Sequence, residues 1–312
     1  MIQSFSSRLM KCSAWLGLLL LSGCATYHPV PLPLVPDLTK APSLTAPASD
    51  FWLPGLKPHP FAQNGLDETS IVTLAVFDDP DLRAARLQAG VASAQLLQAG
   101  LLPDPVVSAD YARSVLNYGG DIGLSEDIQA LITRGAAKAA ARSHEKQVYL
   151  DILWQEWQVA EKARELFIQA RADDQLNRVL TSRRDLFASR YHQDEVALKK
   201  GNITLPTAAA DLTLLTTAEN SLRQTQLDAS LTRHQLNQLL GLKPSVQLRL
   251  LGPVNDAPLA HDQFRAAVAA LPHRRADLLA LRAGYESQEQ SVRQAVLAQF
   301  PALTIGVVQS SD

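Results

Sequence analysis

Residues 146–170 read KQVYLDILWQEWQVAEKARELFIQA, and neither proline nor glycine interrupts the chain from Ala136 to Lys200. Leu150, Leu153, Trp157, Ala160, Ala163, Phe167 and Ala170 recur at spacings of three and four. That period lines one face of an α-helix with apolar side chains. Leu176, Leu180, Phe187 and Tyr191 continue the stripe. From Arg134 to Lys199 the run predicts one helix of about 66 residues, close to 100 Å at about 1.5 Å per residue. Lys199-Lys200-Gly201-Asn202 then places positive charge in the last turn and a glycine where the backbone can turn left-handed. Thr204 and Pro206 can open a returning helix, which carries Ala208, Leu215, Leu222, Ala229 and Leu236 at intervals of seven until Gly241 and Pro244 end it. The prediction is an antiparallel helical hairpin whose turn is Lys200, Gly201 and Asn202.

Upstream, one helix is expected from Leu66 or Thr69 to Gly100, capped by Asp67 or Thr69 and stopped by Leu102-Pro103-Asp104-Pro105. Val107, Ala109 and Tyr111 then alternate with Ser108, Asp110 and Ala112, the period of a strand with two different faces. Asn117 to Gly120 reads as a turn, and Ile122 and Leu124 against Gly123 and Ser125 read as the returning strand. A lone two-stranded hairpin is marginal in water, so further strands must pair with it. At an offset of 196, Asp81, Leu82, Ala84, Arg86, Gln98, Ala99, Leu101 and Pro105 match Asp277, Leu278, Ala280, Arg282, Gln294, Ala295, Leu297 and Pro301. This is an internal duplication. In both copies a helix leads through proline into a strand, the second beginning at Leu303 and Thr304.

The N-terminus has a different composition. Arg8 and Lys11 precede an apolar run from Ala14 to Leu21, too short to span a membrane at the ~20 residues that requires. The run ends in Leu21-Ser22-Gly23-Cys24, which looks like a bacterial lipobox, with cleavage between Gly23 and Cys24 and acylation of Cys24. Cys12 leaves with the signal peptide, so no free thiol remains, as suits an oxidising compartment. Ala25 after the cysteine favours the outer over the inner membrane by resemblance to lipoprotein sorting. Nine of the 18 prolines fall between Pro29 and Pro60, which reads as an extended tether or as plain disorder.

Charge and motifs narrow the function. Lys plus Arg number 29 against 31 acids, a net charge of -2 with no basic footprint for nucleic acid. His28, His59, His144, His192, His234, His261 and His273 show no metal-ligand spacing, and helical geometry separates Asp194 from His192 and Glu195. Asp78-Asp79-Pro80-Asp81 reads as a cap and helix-dipole partner rather than a cation site. No nucleophile elbow or phosphate-cradling glycine loop occurs. Trp154 and Trp157 can stack a ligand, but packing against another helix is the stronger reading. No cofactor and no catalysis are expected.

Taken in order, Leu21-Ser22-Gly23-Cys24, Asp81-Leu82 with Leu101-Leu102-Pro103-Asp104-Pro105, the helix containing Trp154-Gln155-Glu156-Trp157, the Gly201 turn, Leu236-Asn237-Gln238-Leu239-Leu240-Gly241 and Phe300-Pro301-Ala302-Leu303 resemble the lipoprotein branch of the TolC-type outer-membrane efflux channels. The resemblance implies a mainly α fold, with long antiparallel helical hairpins forming an α-barrel and a β-hairpin contributing to a trimeric transmembrane β-barrel. It also implies a passive export duct for small solutes such as drugs or metal ions. The chain would be lipid-anchored in the outer membrane with its body in the periplasm, working with a periplasmic adaptor and an inner-membrane pump. The segments are a signal peptide over 1–23, a lipidated proline-rich tether over 24–62, a first repeat over 63–252 and the start of a second over 253–312. With three strands per chain where the resemblance implies four, these 312 residues are expected to be exported and lipidated, yet unable to form an export-competent trimer until the second repeat is completed. The competing reading is a periplasmic lipoprotein adaptor, whose coiled-coil hairpin would interrupt a lipoyl-like β-domain.

Overall fold

A computed structural model of the protein describes residues 65–113, 118–253, 260–299 and 303–311. The expected signal peptide, Cys24, the tether and residues 114–117 of the turn region lie outside the described residues.

The helix expected from Leu66 or Thr69 to Gly100 is two helices, α1 (Glu68–Asp78) and α2 (Pro80–Ala99). Pro80 has no N–H to give and its ring would clash with the preceding turn, so the chain breaks at Asp79. The break is capped. Asp67 accepts from the Ser70 N–H at 2.9 Å, and Asp79, itself buried, accepts from the Leu82 N–H at 2.8 Å. Burial pushes the Asp79 carboxyl above its ordinary range, and the cap bond pulls against that shift.

Strands β1 (Val106–Arg113) and β2 (Tyr118–Asp127) pair antiparallel. Tyr118, Gly119 and Gly120 therefore belong to a strand rather than to the expected turn. β2 runs without a loop into α3 (Ile128–Lys199), a helix of 72 residues. It starts six residues before the expected Arg134, because Asp127 caps the Ala130 N–H at 3.1 Å and an interior Gly135 costs only about 1 kcal/mol. At ~1.5 Å per residue α3 spans about 108 Å.

At the far end of α3, Gly201 has φ +73°. Its N–H reaches the Leu198 carbonyl at 2.9 Å, and the Asn202 N–H reaches Ala197 at 2.9 Å. These two bonds are the paired closure of a left-handed C-terminal cap. They reverse the chain into α4 (Leu205–Leu239), in which Thr204 occupies the cap position without a side-chain cap bond. Ala208, Leu222, Ala229 and Leu236 are buried, as the heptad requires, with Leu215 half-buried. Asp211, Ala218, Thr225 and Thr232 fill the alternate heptad positions. The stripe expected on α3 is only partly the buried one. Ala163, Phe167 and Ala170 are inside, but Leu153, Trp157 and Leu176 are exposed, while Ile152, Leu166 and Asp173 are buried. A helix turns 3.6 residues per turn, so a fixed three-four spacing drifts around it over this length, and α3 changes partners along its course.

Those partners divide it in two. Over its first part α3 lies between α2 and α6 (Ala276–Leu297). Arg86 on α2 pairs with Glu156 at 2.8 Å, and Ser93 donates to Glu145 at 2.6 Å. On the other side Ser287 donates to the Ala140 carbonyl at 2.9 Å. Gly284 lies so close to Gln147 that an added Cβ would sit 2.9 Å from its side-chain oxygen. Farther along, α1 and α4 close over Leu166, Phe167 and Ala170 with Ile71, Leu74, Leu236 and Leu240, the main apolar core. The loop after α4 returns to cover this core, Leu66 and Leu250 pairing through bonds of 2.8 Å to Arg249 and from Leu251. α5 (His261–Arg274) precedes α6 and has no buried residue. β3 (Thr304–Ser311) adds antiparallel to β2, giving the order β1-β2-β3. The third strand is thus accommodated within the chain.

Candidate functional site: a two-faced sheet above a helical hairpin

Cross-strand partners in an antiparallel sheet share a face. Val107 stands opposite Leu124 and Leu124 opposite Val307; Ala109 and Ile122 lie beside them, as does Ile305 across from Glu126. This face presents Val107, Ile122, Leu124, Ile305 and Val307 to the outside, all of them exposed. The opposite face carries Ser108, Asp110, Asp121, Gly123, Ser125 and Ser310, with Val106 and Val308 as its apolar members. The alternation read from residues 107–111 and 122–125 is therefore a physical separation of surfaces. What the sequence did not reveal is that β3 continues the same two faces. Among the described residues no helix is long and apolar enough to cross a membrane.

The hairpin is closed by a polar seam. Thr232 donates to the buried Asp173 at 2.9 Å, and Gln169 donates to the same carboxylate at 2.8 Å. Arg233 pairs with Asp174 at 2.8 Å. Nearer the turn, Arg190 reaches both oxygens of Asp211 at 2.8 and 3.0 Å. Asp194, one turn beyond Arg190, leans on the same carboxylate. Its hydrogen bond to Asp211, with lesser contributions from burial and repulsion, holds the Asp194 carboxyl above its ordinary range, and that bond together with Arg190 holds Asp211 below it. His192 instead faces Glu195 at 3.7 Å, so these histidine and acid groups do not converge. The polar residues of this seam escaped sequence reasoning because the apolar heptad was followed only at its first position. The signal was available three residues later in each heptad, at Asp211, Ala218, Thr225 and Thr232.

Trp154 and Trp157 stack on each other with ring centroids 5.0 Å apart and planes 11° from parallel. The Arg275 guanidinium lies 4.9 Å over the Trp154 ring. Packing against α6 accounts for Trp154, but not for Trp157, which is 54% exposed.

No family model matches the sequence, and no curated protein sequence matches it. Solved structures do. CusC, studied for transmembrane channel formation, aligns with 15% identity and a TM-score of 0.63 over 86% of this chain and 68% of its own. The CmeC outer membrane channel of Campylobacter jejuni aligns with 16% identity and a TM-score of 0.63 over 92% and 66%. The outer-membrane channel OprN aligns with 15% identity and a TM-score of 0.61 over 78% and 63%. The chain spans roughly two thirds of the length of these structures, between 63% and 68%. At these identities the likeness is one of fold. This chain has the fold of the outer-membrane channels, long helical hairpins with a small antiparallel sheet, as the TolC-type resemblance implied.

Proposed function

We propose that this chain is the outer-membrane channel component of a tripartite export system, a passive duct for small solutes such as drugs or metal ions. The observation that carries the reading is the two-faced sheet. Its strands of 8 and 10 residues approach the ~9–11 of a membrane-spanning strand. An exposed face centred on Val107, Ile122, Leu124, Ile305 and Val307, with Glu126 and Gln309 as its polar members, makes physical sense against lipid, with the more polar face lining a lumen. A sheet in lipid must also close, since unpaired backbone groups there cost several kcal/mol each. The outer edges of β1 and β3 have no partner among the described residues, so closure calls for further strands, a fourth in each copy and then the sheets of a homotrimer joined into one antiparallel barrel.

The duplication supports the same assembly. On α6, Ala283 and Ser287 are buried against α3; their counterparts on α2, Leu87 and Val91, are exposed. On α2, Ala85 and Ala89 are buried against α3; their counterparts on α6, Leu281 and Tyr285, are exposed. Each twin leaves open the face its partner uses. A ring in which α6 of one copy and α2 of the next enclose another long helix satisfies both faces at once, and it builds a tunnel wall below the barrel.

In this reading Cys24, after cleavage behind Gly23, holds the chain to outer-membrane lipid, 24–62 is the tether, 63–252 is the first repeat and 253–312 begins the second. Lys200, Gly201 and Asn202 are the periplasmic tip that meets an adaptor, beyond which an inner-membrane pump supplies the energy. No cofactor or nucleic acid takes part. An adaptor function for this chain is less well supported, because the hairpin is flanked by helices α1, α2, α5 and α6 and by one three-stranded sheet rather than by a lipoyl-like β-domain. The test is to express the protein that carries this chain in a strain deleted for its outer-membrane channels. Outer-membrane fractionation, a stable oligomer, conductance in planar bilayers and restored solute resistance are expected. Fractionation with the inner membrane and no conductance would overturn the proposal. Cys24→Ala is expected to abolish processing and anchoring; normal maturation of that variant would refute the anchor.

A further inference from the structure

We infer that the α3–α5–α6 junction is a binding site for planar aromatic anions. Leu153, Trp154 and Trp157 on α3 face Leu271, Arg274 and Arg275 at the break between α5 and α6, around a cavity of about 460 Å³, within the range of small-molecule sites, about 300–1,000 Å³. Its centre is a layered stack. The Arg275 guanidinium lies over the Trp154 ring, Trp157 stacks on the same ring, and Trp157 remains more than half exposed. Arg275 is held in place by Asp277, at 3.0 Å to its Nε, so the stack is organised before any ligand arrives. An exposed indole continuing such a stack offers a π-face to one more planar group, the arrangement by which aromatic side chains take up bases and flat ligands.

Charge selects among planar ligands. The Asp277 carboxylate occupies Arg275, but Arg274 is exposed and has no ion-pair partner among the described residues. No acidic side chain lines the cavity. Leu153 and Leu271 add apolar walls on either side. A flat ring system bearing a carboxylate or sulfonate satisfies the open indole face and the free guanidinium together, whereas an aliphatic anion leaves the indole face uncovered and a cation, though attracted to the indole, is repelled by Arg274 and Arg275. The site is separate from the sheet and the hairpin tip, and binding there does not depend on the channel reading.

The experiment is isothermal titration of the detergent-solubilised full chain with 2-naphthoate, and with uncharged 2-naphthalenemethanol as the comparison. Binding of 2-naphthoate with a Kd below about 1 mM is expected, along with at least about tenfold weaker binding of the uncharged analogue. Trp157→Ala and Arg274→Gln each alter an exposed side chain, and each is expected to weaken 2-naphthoate by about tenfold or more while leaving the helical circular dichroism unchanged. Absence of binding by the full chain overturns the inference. Equal binding of both probes, or unchanged affinity in either variant, shows only an unselective apolar surface and overturns it as well. A variant that loses helical signal is replaced by Trp157→Phe, which must retain more affinity than any aliphatic substitution at that position.

Discussion

Leu124 and Ser125 are neighbours in β2 whose side chains point to opposite faces of the sheet. Leu124 sits at the centre of the apolar face, between Val107 and Val307, and Ser125 lies between Val106 and Gly306 on the other. The pair therefore separates two explanations of the exposed apolar face with two substitutions one residue apart. Leu124 is 53% exposed in the single chain. Were the sheet to stand in water, Leu124→Arg would relieve an exposed leucine and Ser125→Arg would be nearly neutral, as surface changes usually are within about 0.5 kcal/mol. Were the apolar face to lie against lipid, Leu124→Arg would put a guanidinium into hydrocarbon at about 2–4 kcal/mol per chain near the midplane. Three copies in a barrel would carry about 6–12 kcal/mol, the per-chain cost multiplied by three. That is comparable with the whole stability of a typical domain, about 5–15 kcal/mol.

The expected outcome is that Leu124→Arg fails to give a membrane-inserted oligomer, while Ser125→Arg inserts and alters conductance. Heat-modifiable mobility of the membrane fraction reads insertion, and planar-bilayer recording reads the lumen. Register makes the contrast sharp, because a shift of one residue exchanges the faces completely. If Leu124→Arg inserts as well as the parent and Ser125→Arg does not, the assignment of faces is reversed. If both insert with unchanged conductance, the sheet is neither the lipid contact nor the lumen wall, and the two-faced sheet no longer carries the channel proposal.

Other outcomes bear on the helices. Phe167 is fully buried in the main core, so Phe167→Ala is expected to cost about 3–5 kcal/mol, measured by urea unfolding; a loss below 1 kcal/mol would mean the core is not packed as described. Ala160→Pro is expected to break α3 at a cost of ~3 kcal/mol or more, read as lost helical signal and a lower Tm. Spin labels at Val179 and Leu222 should report close approach across the hairpin, and separation on the scale of different domains would refute it. Asp194 has its pKa raised in the folded chain, so its contribution to stability is complete below the ordinary 3.8 and is lost as pH rises through the folded value. Asp194→Asn imitates the protonated form beside Asp211 and Arg190. It should therefore raise Tm near neutral pH and lose that advantage as pH falls toward 3.8; an advantage that grows on acidification would reverse the sign.

Much of this arrangement was legible because helical hairpins are written locally. Freedom from proline and glycine, a heptad and a Lys-Gly-Asn turn each act within a few residues, and α3, its turn and α4 follow from them. The break at Asp79–Pro80 was equally local: the cap at Asp78-Asp79-Pro80-Asp81 was legible and Asp79 does cap α2, but the helix was still carried through it because apolar periodicity on both sides, from Leu74 to Leu82, was allowed to outweigh the missing proline N–H. The pairing of β3 with β2 was harder to see, since it joins residues 177 to 191 positions apart, from Asp127 with Thr304 to Gly120 with Ser311, and the repeat implied only that a strand exists. The Arg275–Trp154–Trp157 stack was likewise a long-range event. The duplication places Arg275 where Asp79 caps the first copy, so the substituted residue was free to reach across to α3.

The partial failure of the single apolar stripe on α3 has a structural meaning. A helix in the centre of a bundle buries one broad face, whereas a helix in a wall is flanked on two sides and needs two narrow seams. Ala140 faces α6 through the Ser287 bond, and Ile152 packs with Ala85 and Ala89 of α2. Twelve residues at about 100° each place these two seams about 120° apart around the helix. Alanine and serine dominate both seams, allowing neighbouring helices to approach closely without a thick apolar layer between them. The surfaces left between the seams, with Leu153 and Trp157 on one of them, face outward from the layer rather than into a core. Farther along, the Asp173–Thr232 and Arg190–Asp211 contacts serve the same geometry, fixing the register of α4 on α3 where small side chains alone would let it slide. Along the stretch where α2 and α6 flank α3, helices joined by such narrow seams form a layer with little apolar core of its own, the main core lying farther along under α1 and α4, and in the proposed channel a layer of this kind can enclose a passage.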